Sequence, residues 1–194
     1  GEVITDAFPT NTSDFSTYLA KAKDQGAEVI FCPVSIAYAT QIIKLAASMG
    51  LDIPILGSDT LDSNKVLEAA AGSDVQLYVS TFYQEGGSPE FDDGIKAWLN
   101  EDSTAMTNNG GNDTIAAVTA MGYDAYYVAL EALKAAGSTD AGAVKAALPG
   151  VTYTGVTGVI AFDDIGDAIR DTAYIKVADT ANSAWALETM QKAG

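Results

Sequence analysis

An alternation of strand-like and helix-like patterns runs through the first 83 residues and constrains the fold more than any other feature. Short apolar runs of strand length are separated by amphipathic segments that end at a glycine. The apolar runs are EVIT, AEVIFCP, IPILG and DVQLYVSTFY. This rhythm is typical of parallel strands joined by right-handed helical crossovers. The sequence therefore predicts an α/β fold built on a parallel sheet.

The apolar runs differ in the burial that they predict. AEVIFCP is continuously apolar, as expected of a parallel strand covered on both faces. DVQLYVSTFY alternates apolar with polar residues, which indicates a position nearer the edge of the sheet. EVIT, at the start of the chain, is predicted to be a short strand.

The rhythm changes after Tyr83. A helix is predicted to open with Ser88 as its cap and Pro89 in its first turn, and the polar stretch NEDSTAMTNNGGND after it is predicted to be a loop. A long apolar helix is expected from about Thr114 to Ala136. Two strand patterns follow, GVIAF and TAYIKVAD, joined by an acidic turn. The change of composition near 82–88 predicts a hinge between two lobes.

Composition and charge exclude several classes of function. The net charge is −16, which argues against nucleic acid and against an anionic membrane surface as partners. The chain contains no histidine, so Ser-His-Asp catalysis, Cys-His catalysis and imidazole ligation of a metal are not available. Its one cysteine, Cys32, ends an apolar strand pattern and is predicted to be a buried, inert thiol. An enzyme built from this chain would need carboxylate, tyrosine or lysine chemistry.

Small polar residues follow the predicted strands at the edge where parallel sheets bind ligands. IPILG runs directly into Ser58 and Asp59, and a carboxylate there suits an ammonium group. The alternative is that Ser58, Asp59 and Asp62 only shape a turn and cap a helix, for which Ser63 is a second candidate cap. Both interpretations stay open on spacing alone.

Two further features of the sequence argue against a phosphate site and against a calcium site. Neither of the common phosphate-binding glycine loops is present. The acidic run of Asp163, Asp164, Asp167 and Asp171 lacks the alternating ligand spacing of a calcium loop, which favours a solvated hairpin turn. No metal and no cofactor is therefore expected.

Four segments in order resemble the leucine/branched-chain amino-acid-binding proteins, the type 1 periplasmic solute-binding family. GSDTLDS resembles the family's turn of glycine, a small residue and aspartate after a strand. The segment from TSDFSTYL to KLAASMG is similar to its helix, strand, proline, helix succession. GYDAYYVALEALKAAG resembles its Tyr-Asp-Ala helix, and GVTGVIAFDDIGDAIRDTAYIKV its closing hairpin.

The resemblance implies a function and a set of site residues. It implies a parallel three-layer α/β/α lobe, part of a second lobe, and a periplasmic or cell-surface protein that passes an amino acid to an ABC importer permease without catalysis. Asp59 would hold the ligand ammonium, with Ser58 beside it. Ser35 and Ile36 replace residues that are often aromatic in the family, which favours an aliphatic or small polar ligand over an aromatic one. The resemblance to the family itself implies an aliphatic or branched-chain amino acid. Tyr123 of Tyr-Asp-Ala would lie near the cleft.

The resemblance also implies domain boundaries. Residues 1–82 would form the ligand-binding lobe, residues 83–171 a partial second lobe, and residues 172–194 the return strand and tail. The family's first lobe and the first strand-helix unit of its second lobe are missing, and the chain starts with glycine, so we expect a processed chain or a fragment. Apolar surface on the helix at 114–136 would then favour self-association.

Two rival functions remain open from the sequence. The same fold occurs in the ligand-sensing region of membrane receptors, which would continue into a transmembrane helix. A Rossmann-like enzyme that uses Asp59 as acid or base is the second rival. The lack of histidine and of a phosphate loop argues against the enzyme.

Overall fold

A computed structural model describes residues 2–170 and 172–192 of the protein. Its helices are α1 (Ser16–Asp24), α2 (Ile36–Ser48), α3 (Asn64–Ala70), α4 (Pro89–Glu101), α5 (Ser103–Asn108), α6 (Ala117–Ala136) and α7 (Ala141–Ala147). Its strands are β1 (Ile30–Cys32), β2 (Ile55–Gly57), β3 (Leu77–Thr81), β4 (Tyr153–Gly155), β5 (Gly158–Phe162), β6 (Ala168–Ile169), β7 (Thr172–Asp179) and β8 (Ala184–Lys192). No helix of the described residues is long and apolar enough to cross a membrane.

The larger sheet has five strands in the order β1-β2-β3-β7-β8. The first three strands are parallel and in register, with Ile30 opposite Ile55 and Ile55 opposite Leu77. Helices α2 and α3 make the crossovers between them, as their position in the chain requires. The predicted α/β fold with a parallel sheet is therefore confirmed.

The chain divides into two compact units, residues 1–80 with 176–186 and residues 81–175 with 187–194. The core of the first unit contains Ile55, Leu77 and Val79, none of which is exposed to solvent. Ile43 and Ala46 of α2 pack in the same cluster. These residues recur at i and i+2 on the strands and at i and i+3 on the helix, which places them on one face of each element.

Two predictions about strand position are wrong. β3 lies in the middle of the sheet, because β7 and β8 pair beyond it. β1 was predicted to be covered on both faces, but it lies at the edge of the sheet and Phe31 on one of its faces is 63% exposed. Strand order depends on segments almost a hundred residues away, so the local alternation of apolar and polar residues could not reveal it.

Two predictions about local structure are also wrong. The EVIT segment forms no strand, and Val3 within it is 87% exposed, because no described strand pairs with it. The polar stretch predicted to be a loop contains α5. The Asp102 carboxylate caps this helix by accepting hydrogen bonds from the backbone N–H groups of Thr104 and Ala105, at 2.8 and 3.0 Å.

The second unit packs helices against a small antiparallel sheet of β4, β5 and β6. One core cluster contains Tyr83, Phe91 and Ile115, and another contains Val128 and Ile160. In the turn between β5 and β6, one carboxylate oxygen of Asp163 accepts hydrogen bonds from the backbone N–H groups of residues 165 and 167. Asp171, the last of the acidic run, lies outside the described residues.

Candidate functional site

Two loops lie side by side at the carboxyl ends of neighbouring strands in the larger sheet. β1 ends at Cys32 and β2 at Gly57, and these two residues are partners in the parallel register. The loop after β1 leads to Ser35, and the loop after β2 leads to Ser58. The Thr60 hydroxyl donates a hydrogen bond to the Val34 carbonyl at 3.4 Å and so joins the two loops. The structure thus brings Ser35, Ile36, Ser58 and Asp59 to one edge of the first unit.

The segment after β2 is a single 3-10 turn from Asp59 to Leu61. The Leu61 N–H donates to the Ser58 carbonyl at 3.0 Å, and the Asp62 N–H donates to the Asp59 carbonyl at 3.1 Å. Leu61 folds back into the core, where it is fully buried. A Cβ on Gly57 would lie 2.5 Å from the Leu61 Cδ2 atom, so only glycine fits at the end of this strand.

Asp59 offers a carboxylate with no partner among the described residues, and its side chain is half-buried. Beside it, the hydroxyls of Ser58 and Thr60 share a hydrogen bond of 2.9 Å. An unpaired carboxylate with neighbouring hydroxyls can accept hydrogen bonds from an ammonium group, and such charge-assisted bonds are stronger than neutral ones.

Ser35 and Ile36 lie where α2 begins. Ser35 occupies the N-cap position, where its carbonyl accepts hydrogen bonds from the N–H groups of Tyr38 and Ala39 but its hydroxyl caps nothing. Ile36 follows with 37% of its surface exposed. The loop after β1 therefore presents an aliphatic side chain and a free hydroxyl, and no aromatic ring.

A buried ion pair supports the turn, and sequence reasoning missed it. The Lys176 ammonium on β7 donates to an Asp62 carboxylate oxygen at 2.9 Å, with the two side chains only 3% and 1% exposed. The sequence predicts for Asp62 only a place in the turn or at the cap of α3. That cap is Ser63, whose hydroxyl accepts from the Lys65 N–H at 3.2 Å. The available signal was a lone lysine inside the apolar pattern TAYIKVAD.

Tyr123 belongs to the second unit, on α6, and is 39% exposed. Its ring centroid lies 5.0 Å from that of Phe91 and 4.9 Å from that of Tyr127. Its hydroxyl donates to the Tyr127 hydroxyl at 3.5 Å, and this contact together with desolvation raises the pKa of Tyr123 to about 12. Tyr123 also lines a surface depression of about 350 Å³, together with Ser88, Glu90, Phe91, Gly94, Ile95 and Val156.

The neighbour of Tyr123 in the Tyr-Asp-Ala motif, Asp124, is the residue that the structure buries. Its carboxylate accepts hydrogen bonds from the backbone N–H groups of Val156 and Thr157, at 2.9 and 2.8 Å. Asp124 therefore anchors the turn between β4 and β5. The signal in the sequence was a carboxylate on an otherwise apolar helix.

One face of α6 remains apolar and uncovered. Val118 is 67% exposed and Tyr126 is 62% exposed, two helical turns apart. Self-association through this helix stays a prediction. Among residues 2–170 and 172–192, no three His, Cys, Asp or Glu side chains are grouped closely enough to hold a metal ion.

Comparison with solved structures identifies the fold. A leucine-binding protein from Thermotoga maritima is 24% identical, with a TM-score of 0.74, over 95% of this chain and 50% of its own. A branched-chain amino acid transporter substrate-binding protein from Streptococcus pneumoniae, in complex with isoleucine, is 23% identical, with a TM-score of 0.65, over 96% of this chain and 50% of its own. The chain thus spans about half the length of these proteins and has the type 1 periplasmic-binding-protein fold.

A more distant neighbour binds a different kind of ligand. A solute-binding protein of an ABC transporter from R. palustris, in complex with benzoate, is 18% identical, with a TM-score of 0.75, over 100% of this chain and 52% of its own. No curated protein matches the chain. The family model described as periplasmic binding protein matches residues 1–182. This match covers nearly the whole sequence, and the chain therefore belongs to the periplasmic binding protein family.

Proposed function

We propose that this chain is part of an extracytoplasmic solute-binding protein that captures an aliphatic or branched-chain amino acid for uptake by an ABC importer. Membership of the periplasmic binding protein family supports the general role. The observation that carries the ligand assignment is the unpaired Asp59 carboxylate, half-buried at the ligand-binding edge of the parallel sheet. The protein acts by binding and release and performs no chemical step.

The charge at this edge favours a zwitterion over a simple acid. One structural neighbour is in complex with benzoate, and another is described as a fatty acid ABC transporter substrate-binding protein. Benzoate and fatty acids carry a carboxylate but no ammonium group. Asp59 would repel such an anion, because no cation on the same turn neutralises it. An amino acid instead offers its ammonium to Asp59.

The side-chain pocket is proposed to be aliphatic. Ile36 and Ser35 follow β1 beside Asp59, and they offer an apolar surface and a hydroxyl. Neither can stack on an aromatic ligand. We therefore expect selective binding of Leu, Ile, Val or a smaller residue over Phe and Trp. Tight binding of Phe or Trp would contradict this proposal.

A thermal-shift panel tests the ligand class. The twenty amino acids, benzoate and a fatty acid are each added to the protein at the same concentration, and the midpoint of unfolding is measured. A ligand at one hundred times its Kd adds about 2.7 kcal/mol to the free energy of unfolding. The proposal expects this shift from aliphatic amino acids only, and a shift with benzoate alone would overturn it.

The role of Asp59 is tested by Asp59→Asn. Losing a hydrogen bond to a charged group should weaken amino acid binding by about 1.5–3 kcal/mol. Isothermal titration calorimetry measures the affinity. The matched control is Asp74→Asn, an exposed aspartate just before β3 and thus near the opposite edge of the same sheet, which should leave the affinity unchanged. Equal affinities for Asp59→Asn and the parent would reduce Asp59 to a turn residue.

A further inference from the structure

The Asp59 turn is anchored at its far end by two neighbouring side chains of different character. Leu61 is fully buried in the apolar core, and Asp62 is buried against Lys176. An apolar contact has no preferred direction, so Leu61 sets the depth of the turn more than its orientation. The hydrogen bond from the Lys176 Nζ atom to Asp62 is directional.

A short path connects this ion pair to Asp59, whose carboxylate is the candidate ligand-binding group. The Asp62 N–H donates to the Asp59 carbonyl at 3.1 Å, so a shift of Asp62 moves the backbone of Asp59 directly. Lys176 is 114 residues away in sequence and lies on β7, at the point where the chain re-enters the first unit. The ion pair therefore connects the returning strand to the turn that carries Asp59.

A buried ion pair is a poor device for stability alone. Removing two charges from water is costly, and replacement of such a pair by apolar residues of similar size is often neutral or stabilising. The better-attested use of a buried polar pair is to select one arrangement among several. This pair lies directly after the 3-10 turn. It can therefore select one orientation of that turn.

We propose that Lys176 is a positioning residue that acts through Asp62 to fix the direction in which Asp59 presents its carboxylate. The consequence for ligand affinity depends on the proposed function of Asp59. The consequence for the turn itself does not, because it follows from the contacts of Lys176, Asp62 and Asp59 alone.

Two variants test the proposal. Lys176→Met combined with Asp62→Leu removes both charges, so no unpaired charge is left in the core. Lys176→Arg keeps the charge but moves the hydrogen-bond donors. It replaces the double variant in the test if the double variant does not fold. Lys65→Met is the control, because Lys65 forms an exposed ion pair with Glu68 on the same unit.

Hydrogen exchange without ligand is the first measurement. The amides of Leu61 and Asp62 should exchange at least about tenfold faster in either variant, while the amide of Val79 in the sheet core keeps its protection. Lys65→Met should change neither. Unchanged exchange at 61 and 62 would overturn the positioning role. So would an equal rise in the exchange rate at Val79, because it would show that the whole unit is destabilised.

Amino acid affinity is the second measurement, made on the same variants. It should fall about tenfold, as expected when a binding group is displaced from its productive geometry. An unchanged affinity together with faster exchange at 61 and 62 would overturn the connection between Lys176 and the ligand. If the parent protein binds no amino acid, the proposed function of Asp59 fails, and the exchange measurement still decides whether Lys176 positions the turn.

Discussion

The buried carboxylate of Asp124 accepts two hydrogen bonds from Thr157, one from its backbone N–H at 2.8 Å and one from its hydroxyl at 2.5 Å. The other carboxylate oxygen accepts from the Val156 N–H. One side chain on α6 thus satisfies three donors of the turn between β4 and β5. The Arg170 guanidinium also donates to the Thr157 carbonyl and hydroxyl, at 3.2 and 3.0 Å, and so extends the network.

Asp124→Asn should destabilise the protein by about 1–3 kcal/mol, the cost of leaving a buried donor unsatisfied. An amide can accept from only one of the two sides, so its NH₂ group faces either Val156 or Thr157. Urea unfolding measures the loss. The exposed Asp93→Asn on α4 is the control and should change the free energy of unfolding by less than about 0.5 kcal/mol. Similar losses in both variants would contradict the anchoring role.

Gly155→Ala should destabilise the protein, because a Cβ at this position would collide with the Asp124 carboxylate. Overpacking of this kind costs about 1–3 kcal/mol. Gly122→Ala is the contrasting variant, since a Cβ there meets no atom within 4 Å in the middle of α6. It should stabilise by about 0.5–1 kcal/mol through helix propensity. If both variants unfold at a higher midpoint than the parent, or both at a lower one, this prediction is contradicted.

Cys32 should be unreactive in the folded protein. Burial raises the pKa of its thiol to about 11. At about pH 8 its thiolate fraction is then roughly two orders of magnitude below that of a free cysteine, and a thiol-specific disulfide reagent should react correspondingly slowly. Denatured protein is the control and should react at once. Fast reaction of the native chain would show that the thiol is accessible.

The same pKa shift predicts how stability depends on pH. The folded state holds the Cys32 proton more tightly than the unfolded state, so this contribution is complete below about pH 8.5, the pKa of an unfolded cysteine. It is lost as the pH rises toward 11. Cys32→Ala should therefore have a flatter decline of the free energy of unfolding above about pH 8.5 than the parent.

Tyr127→Phe should lower the pKa of Tyr123 from about 12 toward the ordinary tyrosine value of about 10, because it removes the hydroxyl to which Tyr123 donates. Tyrosinate absorbance during a titration measures this, with Tyr123→Phe used to assign the signal. Tyr18→Phe, which removes a tyrosine from the first unit, should leave the late step of the titration in place. If the part of the late step that disappears in Tyr123→Phe stays near pH 12 in Tyr127→Phe, the assigned cause is contradicted.

Much of the first unit could be predicted from the sequence because its signals are local. The apolar runs that became β1, β2 and β3 and the amphipathic segments that became α1, α2 and α3 each carry their own periodicity. Ser58 and Asp59 could be placed at a sheet edge for the same reason, since they directly follow a strand. β8 was missed because its residues, apolar in the first half and mostly polar in the second, do not alternate, and nearly all of them are exposed.

What the sequence by itself determined is the α/β class, the parallel sheet, the buried Cys32 and the loops that carry the candidate site, because each depends on residues a few positions apart. Only the tertiary structure decided that β3 is central, that Asp62 pairs with Lys176 and that Asp124 anchors Thr157. Those contacts join residues 114 and 33 positions apart. A charged side chain looks the same in sequence whether it faces water or a buried partner, and only folding brings that partner within hydrogen-bonding distance.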